Sequence, residues 1–131
     1  MQNEINFSGV FANDTLQNKM KQNDCGIVNL QNITEGGSHW VAYYNEKNNN
    51  FVEYFDSYGL TPSFNVKKFL LTSGKKIVYN SSCLQAYSSS LCAYYCINFI
   101  KRRNKGEKYY DILYSYTQRP SIYNERAVLK L

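Results

Sequence analysis

The sequence predicts a single α+β domain, 1–131, with a central mixed or antiparallel sheet and a core helix that carries a cysteine in its first turn. Three observations predict it. Two neighbouring segments, His39–Asn45 and Phe51–Tyr58, are rich in aromatic and β-branched residues, as strands prefer. Cys92, Tyr95, Cys96, Phe99 and Ile100 recur at i, i+3, i+4, i+7 and i+8, one stripe of an amphipathic helix. The order of elements is mixed rather than a strict βαβ alternation, which selects α+β. A length of 131 residues fits one domain, and 44% hydrophobic residues are enough for a real core.

The elements follow in chain order. Met1 to Phe11 are polar and lack a basic-then-apolar pattern, so no signal peptide is expected. Asn13 is placed to cap a short helix to about Met20, with Leu16 and Met20 inward. Ile27, Val28 and Leu30 predict a buried strand, and Gly36-Gly37 breaks the chain after it. Between the two clear strands the polar stretch Asn45 to Asn50 reads as a hairpin turn. Pro62-Ser63 opens a helix with Phe64, Lys67, Lys68 and Leu71 at helical spacing and Gly74 as its stop. Lys76–Asn80 forms a further strand. Ser88, Ser89 and Ser90 offer N-caps for the helix that begins near Cys92, and a last helix runs from Glu107 to Tyr116.

Composition sets the outer limits. No apolar run is long enough to span a bilayer, so no membrane association is expected. Cys25, Cys83, Cys92 and Cys96 could make disulfides in a secreted protein; nothing else looks secreted, and thiols in a host cytoplasm, nucleus or virion are expected instead. Cys83, Cys92, Cys96 and His39 match no usual zinc-finger spacing, so neither a metal nor another cofactor is expected. The net charge is +5, with Lys101, Arg102, Arg103 and Lys105 clustered. Such a cluster is either a non-specific DNA contact or a solvated helix end, and the second description fits better. Thirteen tyrosines suit half-buried strands and wet interfaces, and name no function.

The hairpin can pair chemical groups by itself. A turn centred on Lys47-Asn48 would set His39 directly across from Asp56, and a turn at Asn49 would leave them diagonal neighbours. A slip by one residue would send them to opposite faces. The carboxylate would fix the imidazole tautomer and stabilise the imidazolium. His39 is the only histidine, and a lone histidine is more often structural; the carboxylate neighbour and a nucleophile candidate raise the odds to even. Cys92 falls in the first turn of its helix, where the dipole and unpaired N–H groups favour thiolate. On position alone a buried structural thiol is slightly ahead even for Cys92, and it is the better description of Cys25, Cys83 and Cys96. Gln85, seven residues before Cys92, can donate from its amide to an oxyanion near the thiol, with the Cys92 N–H as a second donor.

These segments carry a family resemblance. Gly36-Gly37-Ser38-His39-Trp40-Val41-Ala42-Tyr43 resembles the histidine strand of adenovirus-type cysteine proteases, and Tyr54-Phe55-Asp56-Ser57-Tyr58-Gly59-Leu60 resembles their acidic strand. Gln85 and Cys92-Ala93-Tyr94-Tyr95-Cys96 are similar to their glutamine and nucleophile helix, in the same order and with the same seven-residue step. The similarity spans roughly Phe7 to Leu113. It is greatest to the short versions of Maverick/Polinton-type transposons and related DNA viruses, and SUMO-specific proteases share the wider papain-like fold. The resemblance implies a thiol endopeptidase with Cys92 as nucleophile, His39 as base, Asp56 as its orienting acid and Gln85 with the Cys92 N–H as oxyanion hole. Trp40 would shield the substrate groove; the alternative is a core tryptophan on a strand. The implied partner is a polypeptide, such as a capsid or polyprotein precursor cut near glycine, and the protein is expected to be monomeric. Two residues depart from the family pattern: Ala93 follows the nucleophile where glycine is usual, and Asp56 stands where adenoviral members use glutamate. The rival functions are a protease that removes ubiquitin-like modifiers and a non-catalytic module, either a pseudo-protease or a nucleic-acid binder.

Overall fold

The hairpin of β3 (Trp40–Asn45) and β4 (Phe51–Phe55) is the middle of a five-stranded mixed sheet. The computed structural model describes residues 5–30, 39–84 and 91–117. Strands β1 (Asn6–Ala12), β2 (Asp24–Asn29), β3, β4 and β5 (Lys76–Tyr79) stand side by side in chain order. The inner pairs β2–β3 and β3–β4 are antiparallel; the outer pairs β1–β2 and β4–β5 are parallel. Helix α1 (Phe64–Leu71) connects β4 to β5, and α2 (Cys92–Asn104) and α3 (Tyr109–Thr117) follow.

Both faces of the sheet are covered, which explains why β3 reads as an almost unbroken apolar run. Successive side chains of a strand point to opposite faces. Cys25, Ile27, Ala42, Tyr44 and Phe55 therefore face one way, against Tyr95, Cys96 and Phe99 of α2 and Tyr109, Ile112 and Tyr116 of α3. Val28, Val41, Tyr43, Val52 and Tyr54 face the other, against Val66, Phe69 and Leu70 of α1 and Met20. Phe55 stacks on Phe99 at 4.7 Å, a pairing worth roughly 0.5–1.5 kcal/mol beyond the area it buries. Several of the tyrosines are core residues with a pinned hydroxyl. Tyr109 donates to the Tyr54 carbonyl at 2.8 Å, and Tyr95 to the Leu84 carbonyl at 3.2 Å.

The readings of Asn13 to Met20 and of the cap of α2 are corrected here, and strand β1 and the buried face of α1 are added. Asn13 to Met20 is not helical. The Thr15 hydroxyl competes for the backbone, accepting from the Ala12 N–H at 2.8 Å, and Asn13 Oδ1 accepts from the Ser63 hydroxyl at 3.3 Å instead of capping. Residues in the polar N-terminal stretch form strand β1, a partly exposed edge without hydrophobic alternation. Phe64, Lys67, Lys68 and Leu71 lie on the outer side of α1, since Phe64 is 81% exposed and the buried side is Val66, Phe69 and Leu70. The N-cap of α2 is Leu91, which has no side-chain capping bond; Ser88 to Ser90 lie outside the described residues.

The basic end of α2 is corrected as well. Arg102 makes a two-pronged pair with Glu107, at 2.9 and 2.7 Å, and a third bond to Ser115 at 2.8 Å. Arg103 is buried, holds Glu53 at 2.8 and 3.0 Å and Glu46 at 3.2 Å, and lies over the Tyr44 ring at 4.5 Å. A guanidinium fork matched to a carboxylate is spent on that partner. Two of the four charges thus tie α2 to β4 and to the start of α3, and only Lys101 and Lys105 are exposed. The cluster is neither a four-charge nucleic-acid contact nor merely a solvated helix end.

Candidate active site

The observed hairpin register pairs Tyr43 with Tyr54, Ala42 with Phe55 and Tyr44 with Glu53. That is displaced by two residues from the register of a turn on Lys47-Asn48, so Val41, not His39, falls in line with Asp56. A shift of two keeps both residues on the same face where a shift of one would not. His39 and Asp56 lie just outside the ladder ends and meet diagonally: Nε2 of His39 donates to Oδ1 of Asp56 at 2.8 Å. Asp56 is fully buried and His39 nearly so, with 15% of its side chain exposed.

A turn at the end of β4 holds the acid. The Tyr58 N–H donates to Asp56 Oδ1 at 2.8 Å, and the Gly59 N–H to the Asp56 carbonyl at 2.8 Å. Gly59 has φ +74°, and a Cβ there would stand 2.7 Å from the Ser82 backbone, so the turn needs glycine twice over. The Tyr58 ring lies against the imidazole with centroids 4.8 Å apart. Just after β5 comes Asn80, 5% exposed, which clamps the Asp56 backbone by two bonds. Sequence reading gave Tyr58 and Asn80 no role. Tyr58 lies inside the acidic-strand motif and was open to notice; Asn80 is 24 residues from Asp56 in sequence and carries no local signal.

Cys92 opens α2, buried against the same ring. Burial works against its ionisation, but the His39 side chain, the backbone N–H groups of Trp40 and Ala93, and the imidazolium charge together hold the thiol below its ordinary value. Burial likewise opposes the imidazolium, and the hydrogen bonds and charges of Asp56 and Cys92 outweigh it, raising His39 from 6.5 to about 9. His39 Nδ1 is buried and has no aligned hydrogen-bond partner. The Cys92 side chain is nonetheless an electrostatic partner of the ring, and catalytic hydrogen bonds often tighten only around substrate. The two shifts favour a thiolate–imidazolium pair, a state that can attack a carbonyl and then protonate a leaving group.

The other thiols stand apart. Cys96 is wholly buried and held well above the ordinary range by burial, and burial pushes Cys25 up to about 12. Cys83 is exposed. Among the described residues no three His, Cys, Asp or Glu side chains gather as a metal site. The Trp40 indole is partly buried and packs on the α2–α3 side of the core, while its backbone serves Cys92. Gln85, the expected oxyanion donor, lies outside the described residues.

No protein-family model matches the chain, and no curated protein matches it in sequence. Solved structures do match in fold. A selenomethionine crystal structure of the ASFV pS273R protease superposes with a TM-score of 0.53 at 22% identity, over 66% of this chain and 36% of that one. This chain shares the fold of that protease. A second crystal structure of the pS273R protease gives 0.50 at 21% identity, over 66% and 34%. The chain thus spans about a third of the length of the pS273R protease.

Proposed function

We propose that the protein is a cysteine endopeptidase of the adenovirus type. One observation carries the reading: a buried Asp56–His39 pair at 2.8 Å whose imidazole faces the Cys92 thiol at the start of α2. The likeness in fold to the ASFV pS273R protease supports it.

In this reading the Cys92 thiolate attacks the scissile carbonyl carbon. His39 gives its proton to the departing amine, leaving a thioester, and then takes a proton from the water that hydrolyses it. Asp56 keeps the ring oriented and its charge balanced through both halves. Gln85 and the Cys92 N–H are proposed to hold the oxyanion; first-turn N–H groups have no acceptor within their own helix, which suits that task. The proposed substrate is a polypeptide cut near glycine, in the maturation of a viral or transposon capsid precursor, within a host cytoplasm or nucleus or in a virion. The protein would act as a monomer, without metal or organic cofactor.

The test is cleavage of a peptide library and of a panel of ubiquitin-like conjugates by wild type and the Cys92→Ala, His39→Ala and Cys96→Ala variants. Cys92→Ala and His39→Ala should each abolish cleavage while the fold is kept, and Cys96→Ala should not. Full activity in Cys92→Ala would remove Cys92 from the chemistry. Preference for bulky residues on both sides of the bond would refute the glycine rule, and cleavage of the conjugates alone would replace the capsid substrate with a modifier.

A further inference from the structure

The sheet end remote from His39 and Asp56 carries a second concave surface. Lys19, Met20, Lys21 and Gln22, the hairpin residues Asn45 and Lys47, and Thr72, Ser73, Gly74 and Lys75 after α1 enclose a cleft of about 630 Å³. Strand β3 begins at Trp40, next to the site, and ends at Asn45 in this cleft. At about 3.3 Å per residue, the two lie roughly 20 Å apart.

Charge is the cleft's main property. Lys19, Lys21, Lys47 and Lys75 line it, and among the described residues no Asp or Glu does. The nearest acid in sequence, Glu46, turns its carboxylate to Arg103 at 3.2 Å, while its carbonyl accepts from Lys75 Nζ at 2.7 Å. The C-terminal end of a helix ordinarily repels anions through its bare carbonyls. Here the Thr72 and Ser73 hydroxyls donate to the Phe69 and Leu70 carbonyls, and the Gly74 N–H donates to Leu71, so that end of α1 is covered.

The walls are tied together. The Met20 N–H donates to Thr72 Oγ at 2.8 Å, and Asn45 Nδ2 to the Lys21 carbonyl at 3.0 Å. Asn45 is 1% exposed, and its Oδ1 accepts no hydrogen bond.

We propose that this cleft binds a small phosphate-bearing anion of the nucleotide or polyol-phosphate class. Four lysines along one cleft match several phosphate charges, and the volume falls within the ~300–1,000 Å³ usual for small-ligand pockets. Burial lowers the Lys75 pKa, and a bound anion would oppose that shift. The cleft is walled by three separate segments of the chain, a shape suited to a compact ligand rather than an extended polymer.

The experiment is titration of the full chain with ATP, with inorganic tripolyphosphate and with a short DNA duplex, read by Tm and by calorimetric Kd at low and high salt. Three proteins are compared: wild type, the Lys21→Glu/Lys47→Glu double variant, and a Lys101→Glu/Lys105→Glu control at the end of α2. ATP or tripolyphosphate should saturate the wild type, raise its Tm and bind more weakly in salt. The Lys21/Lys47 variant should lose at least roughly tenfold in affinity while the control keeps it. The proposal fails if neither phosphate compound shifts Tm, if both variants lose binding equally, or if only the DNA duplex binds.

Discussion

Asn80 and Asp56 hold each other by a reciprocal pair of hydrogen bonds. The Asp56 N–H donates to Asn80 Oδ1 at 3.0 Å, and Asn80 Nδ2 donates to the Asp56 carbonyl at 2.5 Å. Both residues are buried, at 5% and 0% exposure. Asn80 thus sets the backbone from which the carboxylate reaches His39, although it touches neither the imidazole nor the thiol in any bond described.

Removing that clamp should therefore act on His39 through Asp56. Asn80→Ala should cost about 1–3 kcal/mol of stability, the usual cost of stranding buried polar groups. It should also lower kcat and move the alkaline limb of the rate profile downward, because Asp56 would bond His39 less well. A purely structural role would lower Tm and leave the pH profile where it was, and that result would end the positioning argument.

The two shifted pKa values set the rate profile itself. Thiolate requires a pH above the lowered Cys92 value, and imidazolium requires a pH below about 9. The kcat/KM should rise through the first and fall through the second, with the apparent constants belonging to the coupled pair. Asp56→Asn removes the charge that helps raise His39 and leaves only a neutral amide acceptor, so its alkaline limb should move from about 9 toward 6.5. Its rate loss should be about 10⁴-fold or less, against on the order of 10⁶ when the base itself is removed. An unchanged limb in Asp56→Asn would show that Asp56 does not govern the ring.

Thiol chemistry should separate the four cysteines. Alkylation of the native protein below the ordinary thiol range should label Cys92 first, because its neighbours favour the thiolate. Cys83, which is exposed, should be the next thiol labelled, on access alone. Cys25 and Cys96 should stay unmodified until the protein unfolds. Mass mapping that finds Cys96 labelled before Cys92 would reverse the assignment.

Arg103→Ala should be among the most damaging changes away from the site. It would leave Glu53, 2% exposed, without its guanidinium partner, at a cost of about 3–5 kcal/mol for a buried pair broken on one side. Burial already holds the Glu53 carboxyl above its usual range despite Arg103. Lys101→Ala, at an exposed position of the same helix, should leave Tm unchanged. Equal Tm values for the two variants would mean that the ion pair adds nothing to the fold.

What the sequence determined by itself was whatever local patterning can encode. The strands β2, β3, β4 and β5 and the three helices follow from composition, spacing and turn residues, since each signal sits in or beside the element it names. The adjacency of His39 and Asp56 also follows from one hairpin, because a two-residue change of register keeps a face. Edge strand β1 escaped notice because an edge has no buried alternation to display. The buried face of α1 had no clear signal because Phe64 and Leu71 are apolar yet exposed, and only packing against the sheet chooses Val66, Phe69 and Leu70. Tertiary structure alone decided the rest. It brought Cys92 to a ring more than fifty residues away in sequence, set Asn80 beneath Asp56, and turned two arginines of a basic cluster inward to buried or partnered carboxylates. The physical reason is common to all three: the energy of a buried polar group depends on which distant partner the fold delivers, and no window of sequence contains that partner.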